Sequence, residues 1–212
     1  MTLKSKTIAR IVSRLKSVGK PNGRRAHDRR DEIVRGAAAV LRQSRDGTLR
    51  MAEVAKHVGL VKGNLYYYFK DRQELIFHCH MRCTEMSLAA LEQIEPRLAS
   101  AEERLREVLR RHIEIIIASE YGGALLADIG ELTPVQRRRY VAVRDRFEAG
   151  VRRLIEEGIA AKEFKPTRVP LAGFAILGSI NWMPKWHRPD GPLAAREVAN
   201  WFVDYFIRGL KR

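Results

Sequence analysis

RMAEVAKHVGLVKGNLYYYF, residues 50–69, decides how the rest of the chain is read. Met51, Val54, Ala55 and Val58 recur at helical spacing and predict a short helix over about 50–57. Gly59 breaks it, and a second short helix is expected from about Val61 to Tyr67. Glycine accepts the left-handed backbone that such a joint needs, so the pair forms a helix–turn–helix. Ala55 is small where the two helices cross, and Val54, Val58, Leu60 and Leu65 are expected to share a core. Leu65 and Phe69 then face inward, and Tyr68 packs between the second helix and the body. Lys62, Asn64, Tyr66 and Tyr67 are left facing outward on a helix whose length suits a DNA major groove.

The longer string AEVAKHVGLVKGNLYYYFKDRQEL, within residues 28–75, resembles the DNA-binding signature of the TetR family of transcriptional regulators. It shares the Val54-Ala55 pair, Gly59, Gly63, Leu65-Tyr66, Phe69 and the run Arg72-Gln73-Glu74-Leu75. The resemblance implies that Tyr66, Lys70 and Arg72 meet backbone phosphates, while Lys62, Asn64 and Tyr67 face base edges. Gly63 lets the backbone approach closely. The chemistry suits that division: Asn pairs bidentately with adenine and Lys reaches guanine, whereas phosphate contacts position the protein without reading sequence. Two positions depart from the family pattern. Val61 stands where a Ser or Thr usually opens the recognition helix, and it offers a thymine methyl an apolar contact instead of donating to a phosphate. Arg50 stands where a hydroxyl usually opens the preceding helix, with Thr48 upstream as a possible cap; Arg50 can replace the hydroxyl bond with a charge-assisted one.

The charge distribution agrees. The 212 residues carry 40 Lys/Arg against 25 Asp/Glu, a formal +15, which suggests a polyanionic partner. Residues 1–78 hold 18 basic and 7 acidic side chains, net +11, and the remaining residues hold 22 and 18, net +4. Residues 1–27 form a basic arm in which Ile8, Ile11, Val12, Leu15 and Val18 recur at helical spacing, ending at Lys20-Pro21-Asn22-Gly23. A membrane-surface helix or a mitochondrial targeting peptide has the same composition. No run of 18 apolar residues occurs, so no membrane span is expected.

Outward from the motif the chain is predicted to be all-α, with about nine helices and no period-two strand. Asp28 is expected to cap a helix carrying Ile33, Ala37, Val40 and Leu41 to the Asp46-Gly47 turn. Further helices are expected over about 71–95 and 102–119, with a short one between Gly122-Gly123 and Thr133-Pro134. Thr133 caps and Pro134 opens a helix to about 162. Pro166 and Pro170 precede one ending near Trp186, and the last runs from Ala194 to Leu210.

Residues 76–212 are too many for a linker and apolar enough for a core. Phe174, Leu177, Gly178, Ile180, Trp201, Phe202, Tyr205 and Phe206 offer two apolar helix faces, which two copies would bury as a four-helix dimer interface. The family resemblance implies that this part also binds a small molecule. His112, Tyr121, Arg146, Asn181 and Trp182 are the polar or amphipathic groups expected to line the pocket. TPVQRRRYVAVRDRFEAGVRRLIEEGIAAKEF is similar to the family's long central helix, and the Trp182…Leu193 run resembles members that respond to acyl-CoA thioesters of fatty-acid or steroid breakdown.

His78, Cys79, His80 and Cys83 invite a metal or redox site, but Cys79 and Cys83 alone share a helix face, and they are expected to be ordinary helix residues. Two cysteines four apart make no disulfide framework, which points to a reducing compartment, the cytoplasm. No Gly-rich phosphate loop, HExxH, GxSxG or paired-carboxylate motif occurs, so neither catalysis, cofactor nor metal is expected. The expected function is a homodimeric, ligand-released repressor on a palindromic double-stranded operator, with no membrane partner and with an acyl-CoA or another hydrophobic small molecule as effector. A second function fits the composition: a sequence-tolerant basic helical protein coating DNA or membrane. Deleting residues 1–24 separates them, because a specific regulator keeps its operator choice and a coat protein loses binding.

Overall fold

The structure, a computed structural model, describes residues 23–44, 47–94 and 100–211, with side chains from residue 27 onward. Of the arm expected over residues 1–27, residues 1–22 lie outside the described residues and the remainder belongs to the first helix. Among those described, eight α-helices and two 3-10 segments account for the regular structure. They are α1 (Gly23–Ser44), α2 (Met51–His57), α3 (Lys62–Tyr68), α4 (Arg72–Ile94), α5 (Ala101–Ala118), α6 (Pro134–Ala160), α7 (Val169–Trp186) and α8 (Ala195–Leu210). The 3-10 segments, Glu120–Leu126 and Ile129–Glu131, replace the one short helix expected between α5 and α6.

Where the sequence carries a strong stop or start, the helix ends follow it. Ser100 and Glu103 form a reciprocal capping box at α5, and Thr133 and Gln136 form another at α6, with Pro134 in the first turn. Asp71 accepts the Glu74 N–H at 2.8 Å while the Glu74 carboxylate accepts the Lys70 N–H at 2.7 Å, so α4 opens directly behind the helix–turn–helix. The expectation at Asp28 is corrected: α1 starts at Gly23, and Asp28 lies inside it rather than capping it. Nothing between Gly23 and Asp28 breaks a helix, so propagation overrides the local preference of an Asp for a cap.

Helix α5 is the axis of the larger part, packed against α4, α6, α7 and α8. Its buried stripe of Leu105, Val108, Leu109, His112, Ile113, Ile116 and Ile117 has the 3–4 residue spacing of a core-facing helix. The first 3-10 segment is wedged between α1 and α5. A Cβ at Gly122 would stand 1.7 Å from the Ile116 carbonyl oxygen, and one at Gly123 2.2 Å from that of Ala38. That wedge and the unbroken α4, rather than a flexible linker, join the helix–turn–helix head to the body.

Two histidines are buried in this core. His80 packs its ring on Tyr140 with centroids 5.1 Å apart, and neither ring nitrogen has a hydrogen-bond partner in the protein. Burial, opposed by the charge of Asp128, pushes its imidazole down to about 4. The unfolded chain takes up a proton from ~6.5 downward, while the native state resists until about 4. Stability is therefore complete above pH ~6.5 and is lost as pH falls toward 4, by up to ~3 kcal/mol for this group. His80→Phe should raise stability at pH 7 by ~1 kcal/mol, by removing unpartnered polar atoms, and should flatten that acid loss. Urea unfolding at pH 7 and pH 5 checks both; an unchanged pH slope contradicts the assignment.

Candidate nucleic-acid interface and ligand cavity

The head forms because α2 and α3 have apolar sides that α1 and α4 can cover. Val54, Ala55, Leu65 and Phe69 are almost wholly buried, with Val58 and Leu60 half-buried at the crossing. Gly59 takes φ 65°, as the joint requires, and Leu60 N–H then bonds the Ala55 carbonyl at 2.8 Å. Two arginines of α1 fix the pair in place. Arg29 donates to the Val58 carbonyl at 2.9 Å, and Arg30 donates to the Tyr68 carbonyl and, at 3.2 Å, to Glu74. The Arg30 guanidinium also lies 4.3 Å from the centre of the Phe69 ring. In the sequence these two charges add to the polyanion-facing excess; the fold uses them to close the carbonyl ends of α2 and α3.

Helix α3 presents Val61 at its opening, then Lys62, Gly63, Asn64, Tyr66 and Tyr67, all exposed, with only Leu65 turned inward. Val61 is 73% exposed and no side chain caps α3. Tyr68 is half-buried and meets the Tyr67 ring edge-on. Arg50 is the residue before α2, exposed, and donates to Glu53 at 3.2 Å; it takes the N-cap position with no side-chain cap hydrogen bond of its own. Lys70 is fully available, with only Asp71 at 3.8 Å. Arg72 is half-exposed and paired with Glu131 of the second 3-10 segment. Val61, Lys62, Asn64, Tyr66, Tyr67 and Lys70 are thus all left exposed on the head.

A cavity of about 270 Å³ lies among α4, α5, α6 and α7. Of the five residues expected there, His112 and Asn181 line it. His112 Nδ1 stands 2.9 Å from Ser87 Oγ, and the ring is also held by the Asn181 side chain and by Phe147, 4.6 Å away. Burial pushes the His112 imidazole down to about 4, with the Asn181 bond opposing; a neutral ring is what the cavity offers a ligand near pH 7. The other three are elsewhere. Tyr121 belongs to the 3-10 wedge, Arg146 is an exposed ion-pair partner of Glu92 at 3.0 Å, and Trp182 is 63% exposed on the outside of α7. Tyr140, Arg144 and Phe147 line the cavity instead, one side of α6 at spacings of four and three. That stripe, with one arginine inside it, was the signal the sequence offered. A wider groove of about 630 Å³ lies along α5 and α8, but Arg106, Arg110 and Arg111 in it already pair with Glu102, Glu107, Glu114 and Asp204.

The outer sides of α7 and α8 carry Leu171, Phe174, Trp182, Trp186, Trp201 and Tyr205, each more than two-fifths exposed. Trp201 and Tyr205 stack with ring planes 6° apart, and Phe202 and Phe206, both half-buried, continue the row. Ile180 and Leu177, expected on that face, are buried in the chain's own core: Ile180 lies on the opposite side of α7 from Phe174, Gly178 and Trp182, and Leu177 on the flank that faces the cavity. Cys79 and Cys83 are free, buried thiols, and burial pushes the Cys83 thiol up to about 12. Among the described residues no group of three His, Cys, Asp or Glu stands together as a metal site, and no helix is long and apolar enough to cross a membrane.

A helix–turn–helix head, whose second helix is exposed along its polar side, mounted on a helical body with its own cavity, defines a DNA-binding regulator. Comparison with known proteins places it further. A family model described as "Bacterial regulatory proteins, tetR family" matches residues 33–79, and one described as "Tetracyclin repressor-like, C-terminal domain" matches residues 98–210. The chain belongs to the tetR family of transcriptional regulators. Its relatives include the transcriptional repressor KstR2 of Mycolicibacterium smegmatis, 21% identical over 191 residues, covering 86% of this chain and 90% of the relative. The fatty acid metabolism regulator protein of Bacillus subtilis is 20% identical over 183 residues, covering 84% and 94%. Among solved structures, the TetR family regulator PfmR of Thermus thermophilus superposes with a TM-score of 0.74 at 32% identity, covering 85% of this chain and 99% of PfmR. AibR, solved in complex with isovaleryl coenzyme A and operator DNA, shares the fold with a TM-score of 0.72 at 22% identity, covering 84% and 97%.

Proposed function

We propose that this tetR-family repressor works as a cytoplasmic homodimer that reads a palindromic operator and is released from it when an acyl-CoA, or another hydrophobic small molecule, fills the cavity beside His112. The observation that carries the reading is the exposed polar row of α3, which the fold holds rigid through Leu65, Phe69 and Arg30 while leaving Lys62, Asn64, Tyr66 and Tyr67 without a partner surface in the chain. Asn64→Ala should lower discrimination at one base position of each half-site by ~1–3 kcal/mol, whereas Tyr66→Phe should weaken binding evenly across sequences. Competition binding against a set of single-base operator variants checks the pair. Equal discrimination at every position by Asn64→Ala sinks the direct-readout role.

Gly63 supports the same reading. A Cβ built there meets nothing within 4 Å, so the chain's own packing gives no reason for a glycine in a helix. Gly63→Ala should stabilise the head by ~0.5–1 kcal/mol and yet weaken DNA binding, because the added methyl stands where the duplex must approach. Thermal unfolding and operator titration of the same variant give the two signs; tighter binding contradicts the close approach.

The cavity suits an acyl group rather than a whole coenzyme. Its wall is partly apolar (Ile116, Leu125, Phe147, Leu177), with Ser87, His112, Tyr140, Arg144 and Asn181 as orienting groups. Exposed Phe174, Gly178 and Asn181 line it too, leaving a coenzyme room to project past α7. AibR, with isovaleryl coenzyme A bound, and KstR2, a ketosteroid regulator, are consistent with that class. Release requires that the effector bind the DNA-incompetent arrangement more tightly than the competent one. Adding a series of acyl-CoA thioesters to the operator complex tests this; no release by any chain length removes that effector class.

A further inference from the structure

Helices α4 and α6 run side by side in the same direction. Arg72 and Gln73 at the start of α4 bond Glu131 just before α6. Phe77 then meets Arg139, His80 meets Tyr140, and Glu92 meets Arg146. The start of α6 therefore lies at the same end of the molecule as the start of α4, which follows Phe69 and the recognition helix by only two residues. Arg137 and Arg138 occupy the first turns of α6, both exposed, and among the described residues no carboxylate pairs with either. Arg139 differs, since its guanidinium is 5.4 Å from the Phe77 ring and shares a groove with Asp31 and Glu85.

The charges around this end are otherwise balanced. Glu131 is held by Arg72, Glu74 by Arg30, and Asp71 lies beside Lys70. Asp128 accepts the Gly130 N–H at 2.7 Å within its own turn. Arg137 and Arg138 add positive charge that no carboxylate among the described residues offsets.

We propose that Arg137 and Arg138 form a second phosphate-binding patch, supplied by the C-terminal domain, that grips the DNA backbone beside the segment held by the α3 head. The patch rests on the reading of α3 as the DNA-facing helix. Its partner is the sugar–phosphate backbone rather than the bases, because two exposed guanidinium groups on an otherwise neutral surface attract a polyanion and read no sequence. The body of the protein would then contribute to affinity directly, besides holding the heads apart.

The experiment is a salt titration of binding to the operator and to an unrelated duplex, with the full-length wild type, Asn64→Ala and the double variant Arg137→Ala/Arg138→Ala. The double variant should lose affinity for both duplexes by the same factor, and its log–log salt slope should be shallower by about 2, near 0.9 for each lost contact. Its dimer mass and melting temperature should match the wild type. An unchanged slope and affinity overturns the patch, as does a loss confined to the operator. If the wild type itself does not distinguish the two duplexes, the α3 reading fails and the patch falls with it. If the wild type discriminates and only the double variant is unaltered, the patch alone fails.

Discussion

Replacing Trp201 and Tyr205 together by aspartate should give a folded monomer whose affinity for a two-half-site operator is lower by ~10²–10⁴-fold. Both rings are more than three-fifths exposed in the single chain and stack on one another, so the double substitution leaves no cavity in the core. An exposed apolar face of this extent on two helices needs a partner. In a two-fold interface each substitution acts twice, placing four carboxylates where aromatic rings should bury one another. The second half-site is then no longer bound as an intramolecular event, and the avidity disappears while each α3 keeps its contacts. Light scattering reads the mass and operator titration reads the affinity. A variant that stays dimeric moves the interface off α7 and α8.

Arg42→Met should destabilise the protein by ~3 kcal/mol and, more tellingly, detach effector binding from operator release. Arg42 leaves α1 and donates to the carbonyls of Ile117 at 2.6 Å, Ile116 at 3.0 Å and Ser119. It thereby closes the end of α5, the helix that puts His112 and Ile116 in the cavity wall. Charge-assisted bonds of this kind are each worth ~1.5–3 kcal/mol, and their sum is less than additive. Burial holds the guanidinium below its ordinary pKa, with Cys83 and Glu120 opposing, yet it remains charged near pH 7. A shift of α5 on ligand binding reaches α1 through this joint, through the Gly122-Gly123 wedge and through α4, which packs on both helices. Denaturation measures the first effect and effector-induced dissociation the second. Full release by a folded Arg42→Met protein contradicts the route.

The fold was largely legible because helix periods, Pro134, Gly59 and the capping residues are local signals, and a helical fold is built from local signals. The recognition helix was legible for the same reason: Leu65 and Phe69 pointing in leave Lys62, Asn64 and Tyr66 pointing out. The cavity was not, since it exists only where four helices separated in sequence meet. Asn181 and Trp182 are neighbours on α7, and nothing local says which of them lines the cavity and which lies on the outer face. The same holds for Ile180 against Phe174 on α7. The charges of Arg29 and Arg30 mislead in the other direction, because their carbonyl partners lie 29 and 38 residues away.

The central claim is that two copies of α3, held in a two-fold dimer, read DNA sequence. Selection of bound duplexes from a randomised pool by the full-length protein tests it most directly. The expected result is an enriched inverted repeat whose half-sites are centred one helical turn, ~34–36 Å, or a multiple of it apart. A pool that emerges without any sequence enrichment contradicts it and leaves the basic chain as a sequence-tolerant coat.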